Sequence, residues 1–194
     1  MYASHSGRTQ LSNLKHYSLM ALLGMALCCV QAARAGQPAT GSAVDTSTSA
    51  GELPMADKVV VQKSLRTLTL YHRGVALREY PVQLGLRPEG AKQSEGDFRT
   101  PEGHYELGRR NAQSSYFLSV HIDYPNAQDI ARAKRQRTKP GGAIMVHGLP
   151  NTPTRPAEYY QRFDWTDGCI ALSNTDMVEF WLMTRSGTPI HILP

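Results

Sequence analysis

His147 and Cys169 are the residues of this chain whose types and setting fit a nucleophile and its base. The stretch that contains them, His147 to Leu172, reads HGLPNTPTRPAEYYQRFDWTDGCIAL, with a His-Gly at one end and a Gly-Cys near the other. A thiol attacks as thiolate, and an unassisted cysteine with a pKa of about 8.5 is mostly protonated at neutral pH. An imidazole beside it can take the proton and stabilise the thiolate as an ion pair. Five histidines follow residue 35: His72, His104, His121, His147 and His191. His147 is the best placed, because it ends the apolar run Ala143 to Val146 and precedes Gly148, which lets a backbone or a substrate come close.

Gly168 serves a second need. Acyl transfer puts negative charge on a carbonyl oxygen, and backbone N–H groups next to the nucleophile are the most direct way to hold it. A glycine there permits a tight turn that points the amides of Gly168 and Cys169 at one spot, and the Thr166 hydroxyl can fix that turn. A metal site is a poor alternative. His147 and Cys169 supply two ligands where zinc takes three or four, and no CxxC or HxxxH pair accompanies them.

The status of Cys169 depends on the first residues. Positions 1–17 carry Arg8, Lys15 and His16 and no acid, and lead into SLMALLGMALCCV, Ser18 to Val30. Those 13 residues fall short of the ~20 a membrane span needs. Ala33-Arg34-Ala35-Gly36 follows, with small residues where signal peptidase reads, so residues 1–35 are expected to be a cleaved export signal cut after Ala35. Leu27 and Cys28 are not the small residue that a lipoprotein signal places before its cysteine. Removal of residues 1–35 takes Cys28 and Cys29 with it and leaves Cys169 as the sole thiol in an oxidising compartment. An odd cysteine there is either a partner for intermolecular pairing or a working thiol. A redox sensor would also need a resolving cysteine, which is missing.

The formal charge of +5 falls to +2 once Arg8, Lys15 and Arg34 are removed. The high pI therefore argues little for a polyanionic partner. The basic run Arg132 to Lys139 is read as a solvated helix face, and no nucleic-acid partner is expected. Residues 36–56, GQPATGSAVDTSTSAGELPMA, have almost nothing to bury and read as a flexible linker. Residues 57–194 suit one domain.

The elements that must position the pair are mostly strands. Lys58 to Lys63 and Thr67 to His72 form a hairpin pattern, with Leu68 and Leu70 inward and Thr67 and Thr69 on a wet face. Val75 to Val82 is a further strand. Leu84 to Gly103, heavy in Gly, Pro and charge, is an extended loop. His104 to Gly108 and Phe117 to Ile122 return to strand. A helix is predicted over Asn126 to Thr138 with Asn126 as its cap, then a short strand over Ala143 to Val146 that delivers His147. A last helix starts at Ser173 or Asn174 and stops at Gly187, with Met177, Val178, Trp181 and Leu182 as its buried stripe. Thr188 to Leu193 closes the chain as a strand. The sum is mainly β with two or three helices, a β-sandwich or barrel-like domain.

His147-Gly148, 17 intervening residues, then Thr166-Asp167-Gly168-Cys169-Ile170 resembles the signature of the L,D-transpeptidase catalytic domain (YkuD-type) family. The opening hairpin, the turn Thr100-Pro101-Glu102-Gly103-His104-Tyr105 and the closing GTPIHILP are similar too, so the resemblance spans residues 57–194. It implies a periplasmic cysteine acyltransferase acting on peptidoglycan, with Cys169 attacking the third residue of a tetrapeptide stem and releasing D-Ala. An amine then takes the acyl group from the thioester: a second stem, or a lysine of an outer-membrane lipoprotein. The resemblance carries over Cys169 as nucleophile and His147 as general base and acid. It implies no cofactor and no metal. Ala171 departs from the Arg or Asn that usually follows the aliphatic residue, and Asp167 stands where His is frequent. Arg155 or Arg162 can supply the missing cation by pairing with a stem carboxylate. Two other readings stay open: a hydrolase or amidase that cuts stem peptides or peptidoglycan–lipoprotein links, and an inactive peptidoglycan-binding module.

Overall fold

The computed structural model describes residues 53–194. The expected export signal, its cut after Ala35 and residues 36–52 of the expected linker lie outside the described residues. The domain is already engaged at Ala56, which is buried and donates its amide to Met183 O at 2.8 Å.

Eight strands form one sheet. They are β1 (Lys58–Gln62), β2 (Thr67–His72), β3 (Val75–Pro81), β4 (Gly103–Ser114), β5 (Phe117–Ile122), β6 (Met145–His147), β7 (Ile170–Ala171) and β8 (Pro189–Leu193). Their spatial order is β3-β2-β1-β8-β4-β5-β6-β7, with β1–β8 and β6–β7 parallel and the other neighbours antiparallel. Alternation sets the inward face: Val59 and Val61, Leu68 and Leu70, Ile190 and Ile192 are all buried. Strand β4 serves two partners, pairing with β8 through Gly103–Glu106 and with β5 from Leu107 onward. The chain leaving β3 then returns to the far edge. Gln83 and Ala171 exchange N–H···O bonds of 3.0 and 2.8 Å, and Leu86 N donates to Thr166 O at 2.9 Å. The two ends of the sheet are thus stitched together, which gives the barrel-like closure.

Three α-helices complete the domain: α1 (Ala127–Gln136), α2 (Ala157–Arg162) and α3 (Asn174–Met183). Asn126 caps α1 in a reciprocal box with Asp129. Ser173 caps α3 through Asp176 N at 3.1 Å.

Several expectations need correction. Helix α3 ends at Met183, where the Thr184 hydroxyl donates to Phe180 O at 2.6 Å, and Gly187 belongs to the turn beyond. Its buried stripe is Met177, Phe180 and Met183, whereas Val178 and Leu182 face solvent. Thr69 is buried, its hydroxyl donating to Glu79 at 3.1 Å across the β2–β3 ladder. Strand β4 runs six residues past the expected end at Gly108, because β5 pairs along it up to the turn before Phe117.

Candidate active site

The short β6–β7 ladder brings the two halves of the motif together. Val146 pairs with Ile170 and His147 with Ala171 in parallel register. Val146 and Ile170 point into the core, so His147, Ala171 and, one step back, Cys169 share the opposite face. Cys169 therefore lies level with Met145, whose backbone N–H donates to the sulfur, and Sγ in turn donates to Ala143 O at 3.6 Å. Cys169 is the free cysteine among the described residues and is partly exposed.

His147 is held on three sides. Its Nδ1 is 2.7 Å from Gly148 O. A carbonyl only accepts, so Nδ1 carries the proton and Nε2 keeps its lone pair. The rings of Tyr116 and Trp165 pack against the imidazole at centroid distances of 4.7 and 5.6 Å. Gly148 donates to Tyr116 O and Leu118 O, and a Cβ there would stand 2.7 Å from Asn174 Oδ1 and 3.0 Å from Phe117 Cβ. Glycine is needed for the chain to pass this close to α3 and β5.

Burial pushes the His147 pKa down to about 4, against the opposing pull of the Gly148 carbonyl. Burial also pushes the Cys169 thiol up, as does Asp167, while the Met145 amide and Lys92 act the other way. Both shifts favour neutral forms.

The loop before Cys169 is fixed from within. Gly168 N donates to Thr166 Oγ1 at 3.1 Å, and Thr166 Oγ1 donates to Cys169 O at 2.8 Å. The Gly168 amide is thereby consumed by a hydroxyl two residues back, which corrects the expected convergence of two amides. No hydrogen bond to the Cys169 amide is found among the described residues. Gly168 has φ +131°, and a Cβ there would come 2.6 Å from Arg99 O. The strand segments after β3 and before β4 press on this loop: Gly85 N donates to Thr100 Oγ1 at 3.0 Å, and Lys63 Nζ bonds Gly90 O, Thr100 O and Glu102 at 2.7, 3.1 and 2.7 Å.

Neighbours of the pair line two depressions. On the His147 side a cleft of 320 Å³ is lined by Tyr116, Pro150, Thr154, Arg155, Tyr159 and Trp165. On the Cys169 side a cavity of 480 Å³ is lined by Lys92, Glu95, Phe98, Gly142, Ala143 and Asp167. Of the three polar residues expected around the site, Arg155 lines the first, stacked toward Tyr159 at 5.7 Å, and Asp167 lines the second. Arg162 is exposed in the last turn of α2 and lines neither. Tyr116 and Lys92 carried no sequence signal. Trp165 did, since it adjoins Thr166 in the motif.

The family model described as the L,D-transpeptidase catalytic domain (YkuD) matches residues 56–192. The chain belongs to this family. Among relatives, “Putative L,D-transpeptidase YafK” of Escherichia coli (strain K12) is 33% identical over 102 residues, which covers 48% of this chain and 39% of that protein. Among solved structures, the helical cell shape determining protein Pgp2 from Campylobacter jejuni is 30% identical with a TM-score of 0.55, covering 70% of this chain and 46% of that one. Bd1075 of Bdellovibrio bacteriovorus is 26% identical with a TM-score of 0.52, covering 73% and 51%. The chain thus spans about half or less of the length of these relatives.

Proposed function

We propose that this L,D-transpeptidase family domain is an exported, periplasmic cysteine acyltransferase acting on peptidoglycan stem peptides. The observation that carries the reading is the placement of Cys169 and His147 on one face of the β6–β7 ladder, with Nε2 free and an open depression on either side. A nucleophile between two clefts suits a reaction with two substrates.

The chemistry starts from the neutral pair. His147 Nε2 takes the Cys169 proton as sulfur attacks the carbonyl of the third stem residue, forming the C–S bond. The Cys169 amide is the donor available for the developing oxyanion. Collapse breaks the C–N bond, His147 returns its proton to the leaving D-Ala nitrogen, and a thioester remains. An incoming amine then gives its proton to His147, attacks the thioester and releases the sulfur, which recovers the proton. A buried imidazole near pKa 4 favours this concerted proton transfer over a standing ion pair.

Water is the competing acceptor. The methyl of Ala171 opposite His147 favours it, since no polar side chain stands there to orient an amine. A lipoprotein lysine is a second amine that the same thioester can meet. Product analysis on a defined disaccharide-tetrapeptide separates these outcomes: cross-linked dimers show transfer, and tripeptide alone shows hydrolysis. Absence of any Cys169-dependent product would leave a binding module.

A further inference from the structure

The Cys169-side cavity contains one cation, and it is buried. Lys92 is 3% exposed and lines the cavity that adjoins the sulfur. Its Nζ donates to Ser94 O at 3.2 Å and Asp97 Oδ1 at 2.8 Å. An ammonium has three N–H donors, so one is uncommitted among the described residues. Asp97, its ion-pair partner, is shared with other donors. It also accepts from the amides of Gln93, Ser94 and Arg99 at 2.6, 3.0 and 3.1 Å. Burial alone would raise the Asp97 pKa, but these bonds and Lys92 hold it at about 2. The carboxylate is engaged by four donors, and the ammonium retains one uncommitted donor among the described residues. The other charged lining groups, Glu95 and Asp167, are solvent-exposed. Water and salt screen them far more than they screen Lys92.

The position of His147 decides which part of a substrate meets this ammonium. His147 must protonate the leaving nitrogen and later deprotonate the incoming one, so both belong in the cleft on its side. The acyl half extends the other way, past the sulfur and into the cavity of Lys92. We infer that Lys92 binds a carboxylate carried on the acyl side of the scissile bond, and so selects stems whose acyl half is anionic. This rests on the acyl-transfer reading above. It also supplies a cation to a site where Ala171 supplies none. The free carboxyl of the second stem residue and the side-chain carboxyl of the third share this chemistry.

Binding to Cys169→Ala protein by calorimetry tests the inference without turnover. Three tetrapeptides are compared: unmodified, amidated at the second-residue carboxyl, and amidated at the third-residue side-chain carboxyl. One amidation should weaken binding about tenfold or more, as expected for loss of a charge-assisted hydrogen bond, and its identity names the carboxylate. The same amidation should change binding less than about twofold once Lys92→Met is added, and Lys92→Arg should keep the preference. Lys92→Met leaves Asp97 unpaired, so Lys92→Met with Asp97→Asn, which removes both charges, must lose the preference equally and serves if the single variant does not fold. The inference is overturned if neither amidation weakens binding, if no peptide binds, or if the penalty survives removal of Lys92. Release of D-Ala from the unmodified peptide by the wild-type chain reads the acyl-transfer proposal separately. Its failure beside an intact binding preference would strike that proposal and leave the carboxylate site standing.

Discussion

The two sides of the Cys169–His147 face are built from different materials. The His147 side is walled by rings: Tyr116, Trp165, Tyr160 and Tyr159 form a chain of aromatic contacts that ends beside Arg155. The Cys169 side is walled by main chain: Arg99 O against Gly168, Ala143 O and the Met145 amide on the sulfur, and the loop pinned by Lys63 and Lys92. A ring wall can change a residue and keep its shape, whereas a backbone wall admits no side chain. The base is thus packed by replaceable rings beside a required Gly148, and the nucleophile is set by main chain that admits no side chain.

Variants on each side should separate these roles. His147→Ala removes the base without touching the backbone wall, so kcat should fall about 10²–10⁴-fold while the far-UV spectrum and thiol titre stay unchanged. Gly168→Ala should act oppositely. Its Cβ would meet Arg99 O at 2.6 Å with φ at +131°, so urea denaturation should show a loss of about 3 kcal/mol or more. On the ring side, Tyr116→Phe should leave stability within about 0.5 kcal/mol.

Acid reaches the ring side first, before the Asp97 carboxylate on the other side, which is held at about 2. The His147 pKa is about 4 when folded, against 6.5 for an ordinary histidine. Between these values the unfolded chain binds the extra proton, so this contribution to stability is complete above pH 6.5 and is lost as pH falls toward 4. The loss should reach about 3 kcal/mol, and the slope over that window should flatten in His147→Gln. On catalysis, a smaller effect than that of His147→Ala belongs to the cleft rim. Arg155→Ala should raise KM for tetrapeptide about tenfold with kcat within about twofold, as loss of one charge-assisted contact predicts. Arg162→Ala, at a residue lining neither depression, should change neither.

How much of this was legible in the sequence follows the same division. The hairpin β1–β2, the closing β8 and both capped helices are written locally, in alternation at Val59, Val61, Leu68 and Leu70 and in the Asn126 and Ser173 caps. Cys169, His147 and the Thr166 turn were legible because they lie within one motif. Strand β7 was not, since its two residues become a strand only through β6 and Gln83. Helix α2 is six residues long and enters at Pro156, with too little periodicity to register. Tyr116 reaches His147 only because the β4–β5 turn folds over it. Lys92 read as one more charge in a polar loop, and its burial depends on Asp97, five residues later, turning back on it. The burial that shifts both side chains was equally hidden, because it is a property of the assembled face.

The most direct test mixes residues 36–194 with a defined tetrapeptide and follows intact mass on the millisecond-to-minute scale, beside Cys169→Ala. The account predicts an adduct on the wild-type chain equal to the peptide minus D-Ala, mapped to Cys169, with free D-Ala appearing in parallel and neither seen in the variant. Release of D-Ala by Cys169→Ala, or a folded and reduced wild-type chain that neither forms the adduct nor turns the peptide over, would contradict it.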